Sequence, residues 1–328
     1  MPETTLPLAE LHLHLEGAAS PDLVRHLATR NRISLPDTLF DANGHFHWTD
    51  FLHFLQVYDV ASSVIRTPQD YRDLTFEYLC SIAREGAVYG ELMSSPDHAS
   101  QAGMSYVDHL DGIAQGIADA KDQCGIEARI IVTCVRHFGV ARAHAVVRDV
   151  VRHPHPLVTG FGMGGDEAGF PPAPFADVFR TAHEEAGLAC HVHAGEFGGP
   201  QSIIDALDTL PVTRLGHGVR AIEAPALVER LADHGVVLEV CPTSNIATGV
   251  YASYAEHPLP TLLRSGVRCT LSSDDPPYFH TSVGQEYGLA QTKMGLTREE
   301  VQACTRTALE AAFVDEATRT RLLDRLAT

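Results

Sequence analysis

Short apolar or alternating runs recur along the chain at 9–15, 87–93, 128–134, 157–163, 188–192, 212–215, 236–240 and 268–271. Amphipathic stretches separate most of them, as at 174–185, 202–209, 225–233 and 260–264. Eight strand–helix units in succession predict an α/β fold, a TIM-like (β/α)8 barrel. No linker, repeat or low-complexity tract interrupts the series, so the expectation is one (β/α)8 barrel domain over residues 1–328. Two regions exceed a simple unit. The segment 41–56 is rich in aromatics (Phe46, Trp48, Phe51, Phe54) and predicts extra helical cover over the carboxyl-end mouth, running on into a helix over 71–84. The tail predicts a helix with Thr297 as N-cap and Glu300 as its capping-box partner.

Composition narrows the partners. Apolar residues make up 45% of the chain, as a packed globule requires. Lys and Arg number 24 against 42 Asp and Glu, a formal charge of −18. That balance argues against nucleic acid and anionic membranes, which need clustered cations. No run approaches the ~20 apolar residues of a membrane span. The opening MPETTLPLAE has neither a basic start nor an apolar stretch, so no signal peptide is expected. The seven cysteines (80, 124, 134, 190, 241, 269, 304) are odd in number and contain no CxxC, which reads as reduced thiols in a cytoplasmic protein.

The chemistry gathers where the expected strands end. His12 and His14 lie in the first, Met93-Ser94 end the second, and Arg136-His137 follow the third. Gly164-Gly165-Asp166, His193, His217, Cys241 and Asp274 follow the fourth to the eighth. Barrel enzymes build their active sites at that end. Residues two apart in a strand point the same way, so both imidazoles of His12-Leu13-His14 should face the barrel interior while Leu11, Leu13 and Leu15 face the helices. His193 and Asp274 complete a set of three imidazoles and a carboxylate, which suits one Zn²⁺ with room for water. Zinc lowers the pKa of such a water to about 7. Glu196, three residues past His193, could reach a substrate over the metal. His217 stands between Gly216 and Gly218 and could orient or deprotonate the water.

With these stretches in hand, the chain resembles the adenosine deaminase family of amidohydrolase barrels. The matching segments are AELHLHLEGA (9–18), GGDE (164–167), HAGE (193–196), LGHG (215–218), CPTSN (241–245) with Thr248-Gly249, and SSDDP (272–276). The resemblance implies that His12, His14, His193 and Asp274 bind zinc and that Glu196 protonates purine N1. It implies that His217 holds and deprotonates the water, Asp275 accepts a hydrogen bond at N7, and the Gly165 N–H donates to N3. His14 and Glu16 would also border the substrate, and Glu239 would stand behind His217. Zinc-bound hydroxide would attack C6 and ammonia would leave. Related binuclear barrels bridge two metals with a modified lysine after the fourth strand. The only lysines here are Lys121 and Lys293, so one metal is expected.

The sugar end departs from the animal-type pattern. Glu16 replaces an Asp that contacts the ribose 5′-hydroxyl, and Met93 replaces an Arg. Thr248-Gly249 after Asn245 instead follows the nucleoside deaminases. The balance points to a small-molecule purine nucleoside, adenosine or 2′-deoxyadenosine, as substrate. Free adenine and 6-aminodeoxyfutalosine are the alternatives. A catalytically silent binding protein would have no need of Glu196, His217, Asp274 and Asp275 together. An amidase or phosphotriesterase lacks a use for Asp275. Among the other histidines, His45, His47 and His53 belong to the mouth cover and His137 and His280 lie near it. His98, His109, His153, His155, His234 and His257 read as surface or loop residues. Oligomeric state is not legible.

Overall fold

Eight parallel strands pair in sequence order: β1 (Leu8–Glu10), β2 (Ala87–Ser94), β3 (Glu127–Val135), β4 (Val158–Gly164), β5 (Ala189–Ala194), β6 (Val212–His217), β7 (Val237–Val240) and β8 (Arg268–Leu271). In this computed structural model, residues 6–326 are described. The reading of the opening segment as free of a targeting signal falls partly on residues 1–5 and lies outside them. The strands curl into a nearly closed barrel with helices around it, as the run pattern predicts. Leu13, Leu92, Val132, Phe161, Val192, Leu215 and Leu238 are fully buried in the main apolar core. Among the described residues no helix is long and apolar enough to cross a membrane.

β1 is the strand that differs most from expectation. Its ladder stops at Glu10 because the Ser272 hydroxyl, not a carbonyl, accepts the N–H groups of Leu11 and His12 at 3.2 and 3.1 Å. Pairing resumes in single bridges, Leu13 with Asp274 and His14 with Met93. The chain therefore stays extended past the strand's end, and His12 and His14 hang over the barrel's mouth.

The lower interior is polar where aliphatic layers are usual. Arg214, 1% exposed, bonds Glu91 and Glu239, and its guanidinium stacks 3.5 Å from the Phe313 ring centroid. The mouth cover also differs from the expected continuous helix. Its helix spans Phe51–Ser62 and starts only at Phe51, where the Asp50 carboxylate caps the His53 N–H. The residues before it form turns pinned by a Phe40–Phe46 bridge. The next helix, Pro68–Arg84, has its own capping box between Thr67 and Asp70. The Thr297–Glu300 box is present as expected.

Candidate metal centre and substrate pocket

Strand ends from opposite sides of the barrel bring His12, His14, His193 and Asp274 together, with ligand atoms all within 4.8 Å of one another. His14 Nε2 lies 3.1 Å from His193 Nε2. Asp274 Oδ1 lies 3.4 Å from the Nε2 atoms of both His12 and His14. Two lone-pair nitrogens facing each other in a buried site repel unless a cation sits between them. His12 Nε2 and Asp274 Oδ1 are buried and lack a hydrogen-bond partner. Such orphans are costly in a folded protein, and a metal would satisfy them. Gly216 makes the room: a Cβ there would meet His12 Cε1 at 2.6 Å.

The rings are aimed from behind. His12 Nδ1 bonds Glu239 at 2.9 Å and His193 Nδ1 bonds the Met163 carbonyl at 3.0 Å, so each turns Nε2 to the centre. Burial holds His14 down at about 3 against the opposing charge of Asp274, and burial with the charges of the neighbouring histidines holds His193 well below its usual range, as neutral ligands require. Burial also pushes His12 down, but the nearby carboxylates of Asp274 and Glu239 outweigh it and raise the ring to about 9. A cation at the centre would oppose that protonation. Asp274 sits at φ 66 and His217 at φ 57, left-handed conformations uncommon outside glycine. The structure holds strained backbone where its chemistry gathers.

Glu239 stands behind His12, not behind His217 as expected. It also lies 3.2 Å from His191 Nδ1 and 2.7 Å from Arg214 Nε. The partner of His217 Nδ1 is Asn245, at 3.1 Å. Sequence reasoning passed over His191, although its i, i+2 spacing from His193 is the signal used for His12 and His14. It also left Glu167 without a role. The Glu167 carboxylate accepts the N–H groups of Gly195, Glu196 and Phe197 at 2.5, 3.0 and 2.6 Å, clamping the loop that carries Glu196. Arg136, fully buried below, donates to the His193 carbonyl.

Above the centre, Glu196 lies with Oε2 3.5 Å from His217 Nε2. Burial, then the charges of Asp274 and Glu167, raise Glu196 well above the carboxylate range. Burial and the charges of Asp274 and Glu196 do the same to Asp275. A carboxyl held protonated in this way is a donor, the partner that the lone pair of a purine N7 would need. Gly17 gives Asp275 its space: a Cβ would fall 1.7 Å from Oδ1. Gly165 lines the pocket at φ 98, where a Cβ would strike His137 Nδ1 at 2.6 Å. Phe51, Phe54, Leu55, Tyr58, Met93 and Phe279 form the apolar wall, and His14 lies on its floor.

The outer histidines divide. His45 and His47 are exposed, and neither they nor His53 line the pocket. His137 does line it, and His280 faces solvent against His45. His153 and His234 are on the surface and His155 is half-buried. His98, His109 and His257 are buried instead, each tied to a polar partner: Asp59, Ser94 and Asn245 respectively.

Glu16 lines the pocket, but its carboxylate is held largely from inside the protein. It is 1% exposed and accepts bonds from Ser94 Oγ (2.6 Å), the Ser95 N–H (3.1 Å), Tyr71 OH (3.1 Å) and Tyr58 OH (3.4 Å). Three protein donors crowd Oε1 and the Tyr58 hydroxyl meets Oε2, so most of the acceptor capacity is taken inside the protein. Thr248 lines the pocket and Gly249 does not. The Thr248 hydroxyl bonds back to the Ser244 carbonyl at 2.7 Å, and Gly249 makes the turn after that helix at φ 80.

A parallel barrel with a buried cluster of three histidines and an aspartate at its carboxyl end defines a metal-dependent amidohydrolase. A family model described as Adenosine deaminase matches residues 7–328, and the chain belongs to that family. It is similar to the adenine deaminase of Chelativorans sp. (strain BNC1), 51% identical over 97% of each chain. Among solved structures it is similar to adenine deaminase from Arthrobacter aurescens, with a TM-score of 0.91, 32% identity and 98% of each chain covered. It is also similar to an amidohydrolase from Burkholderia ambifaria with bound Zn, with a TM-score of 0.88 and 27% identity over 98% of this chain and 93% of that one. The chain is thus a hydrolytic deaminase of the adenosine and adenine deaminase family. The expectation of adenosine is overturned: relatives at about half identity along nearly the whole chain are adenine deaminases.

Proposed function

We propose that the protein hydrolyses free adenine to its 6-oxopurine, hypoxanthine, and ammonia. The observation that carries this is the near-full-length likeness to adenine deaminases. Glu16 supports it too, because Tyr58, Tyr71, Ser94 and the Ser95 N–H take most of the acceptor capacity that a ribose hydroxyl would use there. The free thiols of all seven cysteines support a cytoplasmic setting, and residues 1–328 act as one domain.

His12, His14, His193 and Asp274 would hold one zinc ion; the Zn-bound Burkholderia relative favours that metal. When bound, zinc supplies a water acidic enough to attack at neutral pH. The chain's residues handle the purine. Glu196, kept protonated by burial, gives its proton to N1 and makes C6 electrophilic. Asp275 donates to N7 and the Gly165 N–H to N3, which set the ring over the centre. His217 contacts the attacking water from the side facing Glu196 and Asp274. The apolar wall keeps other water out, so these interactions act in a low dielectric. Ammonia release, measured side by side on adenine, adenosine, 2′-deoxyadenosine and 6-aminodeoxyfutalosine, tests the proposal. Adenine should give the highest kcat/KM by at least ~10²-fold, the scale at which a mismatched polar partner is rejected. A nucleoside turned over faster than adenine overturns it.

A further inference from the structure

His217 sits at the end of a chain of buried hydrogen bonds whose direction is fixed at its far end. Leu259 N lies 3.2 Å from His257 Nδ1. A backbone N–H can only donate, so His257 Nδ1 must carry a lone pair. The neutral His257 ring then has its proton on Nε2, which lies 3.1 Å from Asn245 Oδ1 and donates to it. That bond turns the Asn245 amide so that Nδ2 faces His217 Nδ1, at 3.1 Å. Asn245 Nδ2 is a donor, so His217 Nδ1 must accept. The remaining proton of neutral His217 is on Nε2, which faces Glu196 and Asp274.

The chain has no slack. Asn245, His217 and His257 are 0, 1 and 4% exposed, so water cannot substitute for a reversed bond. The Tyr251 N–H bonds the Asn245 carbonyl, and the Asn245 N–H bonds that of Cys241, which fix the amide's backbone. Turning the amide over would point its NH₂ at His257 Nε2–H and leave two donors in opposition. Each Nδ1 faces a donor, the Leu259 N–H for His257 and the Asn245 amide for His217, and a charged ring with protons on both nitrogens would oppose it.

We propose that Asn245 and His257 are positioning residues that lock His217 as its Nε2–H tautomer, so that His217 donates a hydrogen bond into the site and the proton of the attacking water goes to the Glu196 carboxylate, which is free to take it once Glu196 has protonated N1. The assignment refines the family-based expectation that His217 deprotonates that water. Its catalytic part rests on the deaminase reading above, but the tautomer does not.

The test combines spectroscopy with kinetics on the zinc-loaded enzyme. In ¹⁵N-histidine-labelled protein, His217, assigned by the loss of its signals in His217→Gln, should show a pyrrole-like Nε2 and a pyridine-like Nδ1. Asn245→Asp keeps an acceptor for His257 Nε2–H but offers His217 Nδ1 a second acceptor. The His217 pattern should invert in this variant. Adenine kcat should fall by at least ~10-fold with KM within about two-fold and bound zinc unchanged, because a correctly placed donor is lost only during attack. A merely structural role would move stability without inverting the ring. A wild-type His217 protonated on Nδ1, or an even mixture of tautomers, overturns the proposal whether or not any variant folds. An Asn245→Asp enzyme with an inverted ring and unchanged kcat overturns its catalytic part alone. Failure of the substrate reading would show separately, as wild-type protein inactive on adenine with the tautomer as expected.

Discussion

The floor of the site and its roof were built under different constraints. The floor consists of rings whose positions follow from strand periodicity and whose directions are fixed by one bond each, to Glu239 and to the Met163 carbonyl. The roof consists of Glu16, two tyrosines and the helix Phe51–Ser62, and its function depends on which donors the Glu16 carboxylate happens to meet. A metal site is specified by residue type and spacing. A specificity wall is specified by what is left unbonded, which no single residue reveals.

The largest break is at the floor. His14→Ala should bind little zinc, measured by metal analysis after dialysis, and adenine turnover should fall by ~10³-fold or more, because the water then returns toward its bulk pKa. Full zinc occupancy in that variant would remove His14 from the centre. Next comes the acid. Glu196→Gln should keep its zinc and lose at least ~10²-fold in kcat, the usual scale for a missing general acid. The pH profile sharpens this. Burial raises Glu196, so the acid form persists through neutral pH, and wild-type kcat should fall as pH rises through that raised value. The alkaline fall assigned to Glu196 should vanish in the Gln variant.

A smaller effect separates the rings from what aims them. Glu239→Gln removes the charge behind His12 while keeping its shape, and zinc affinity should weaken by about 10–100-fold, as for other partners behind metal ligands. Competition with a chelator measures it. An unchanged affinity would mean that Glu239 serves only to neutralise Arg214.

The barrel was legible because eight apolar runs each mark a strand, although β1 pairs only over the start of its run. His12, His14, His193 and Asp274 were legible because each ends a strand. What failed was three-dimensional pairing. Glu239 is one i, i+2 step before Cys241, and nothing in that spacing says that its carboxylate crosses to His12 and not to His217. Glu167 looked like an unassigned end of GGDE because its three N–H partners lie about 30 residues away. The mouth helix was placed early because aromatic content was read as helical, whereas the Asp50 cap decides where it begins. His98, His109 and His257 were given to the surface because a polar residue between helices carries no sign of the buried partner that satisfies it.

The roof gives the smallest effect and the one that most directly tests the difference between the regions. If Glu16 read a ribose, removing it would damage adenosine turnover first. If it closes the sugar space, removing it should do the opposite. Glu16→Ala leaves Tyr58 OH, Tyr71 OH, Ser94 Oγ and the Ser95 N–H without their acceptor. Stranding such donors should cost about 1–3 kcal/mol of stability, measured by urea unfolding. Adenine kcat/KM should change by only a few fold, since no atom of Glu16 is needed at C6, N1 or N7. Adenosine kcat/KM should hold or rise, because a carboxylate's volume is freed beside His14 and Tyr58 in the pocket that both line. The ratio of the two should therefore move toward adenosine by several fold. A variant that loses adenosine activity more than adenine activity would show that Glu16 reaches a sugar despite its four partners, and the roof would then be a reader and not a wall.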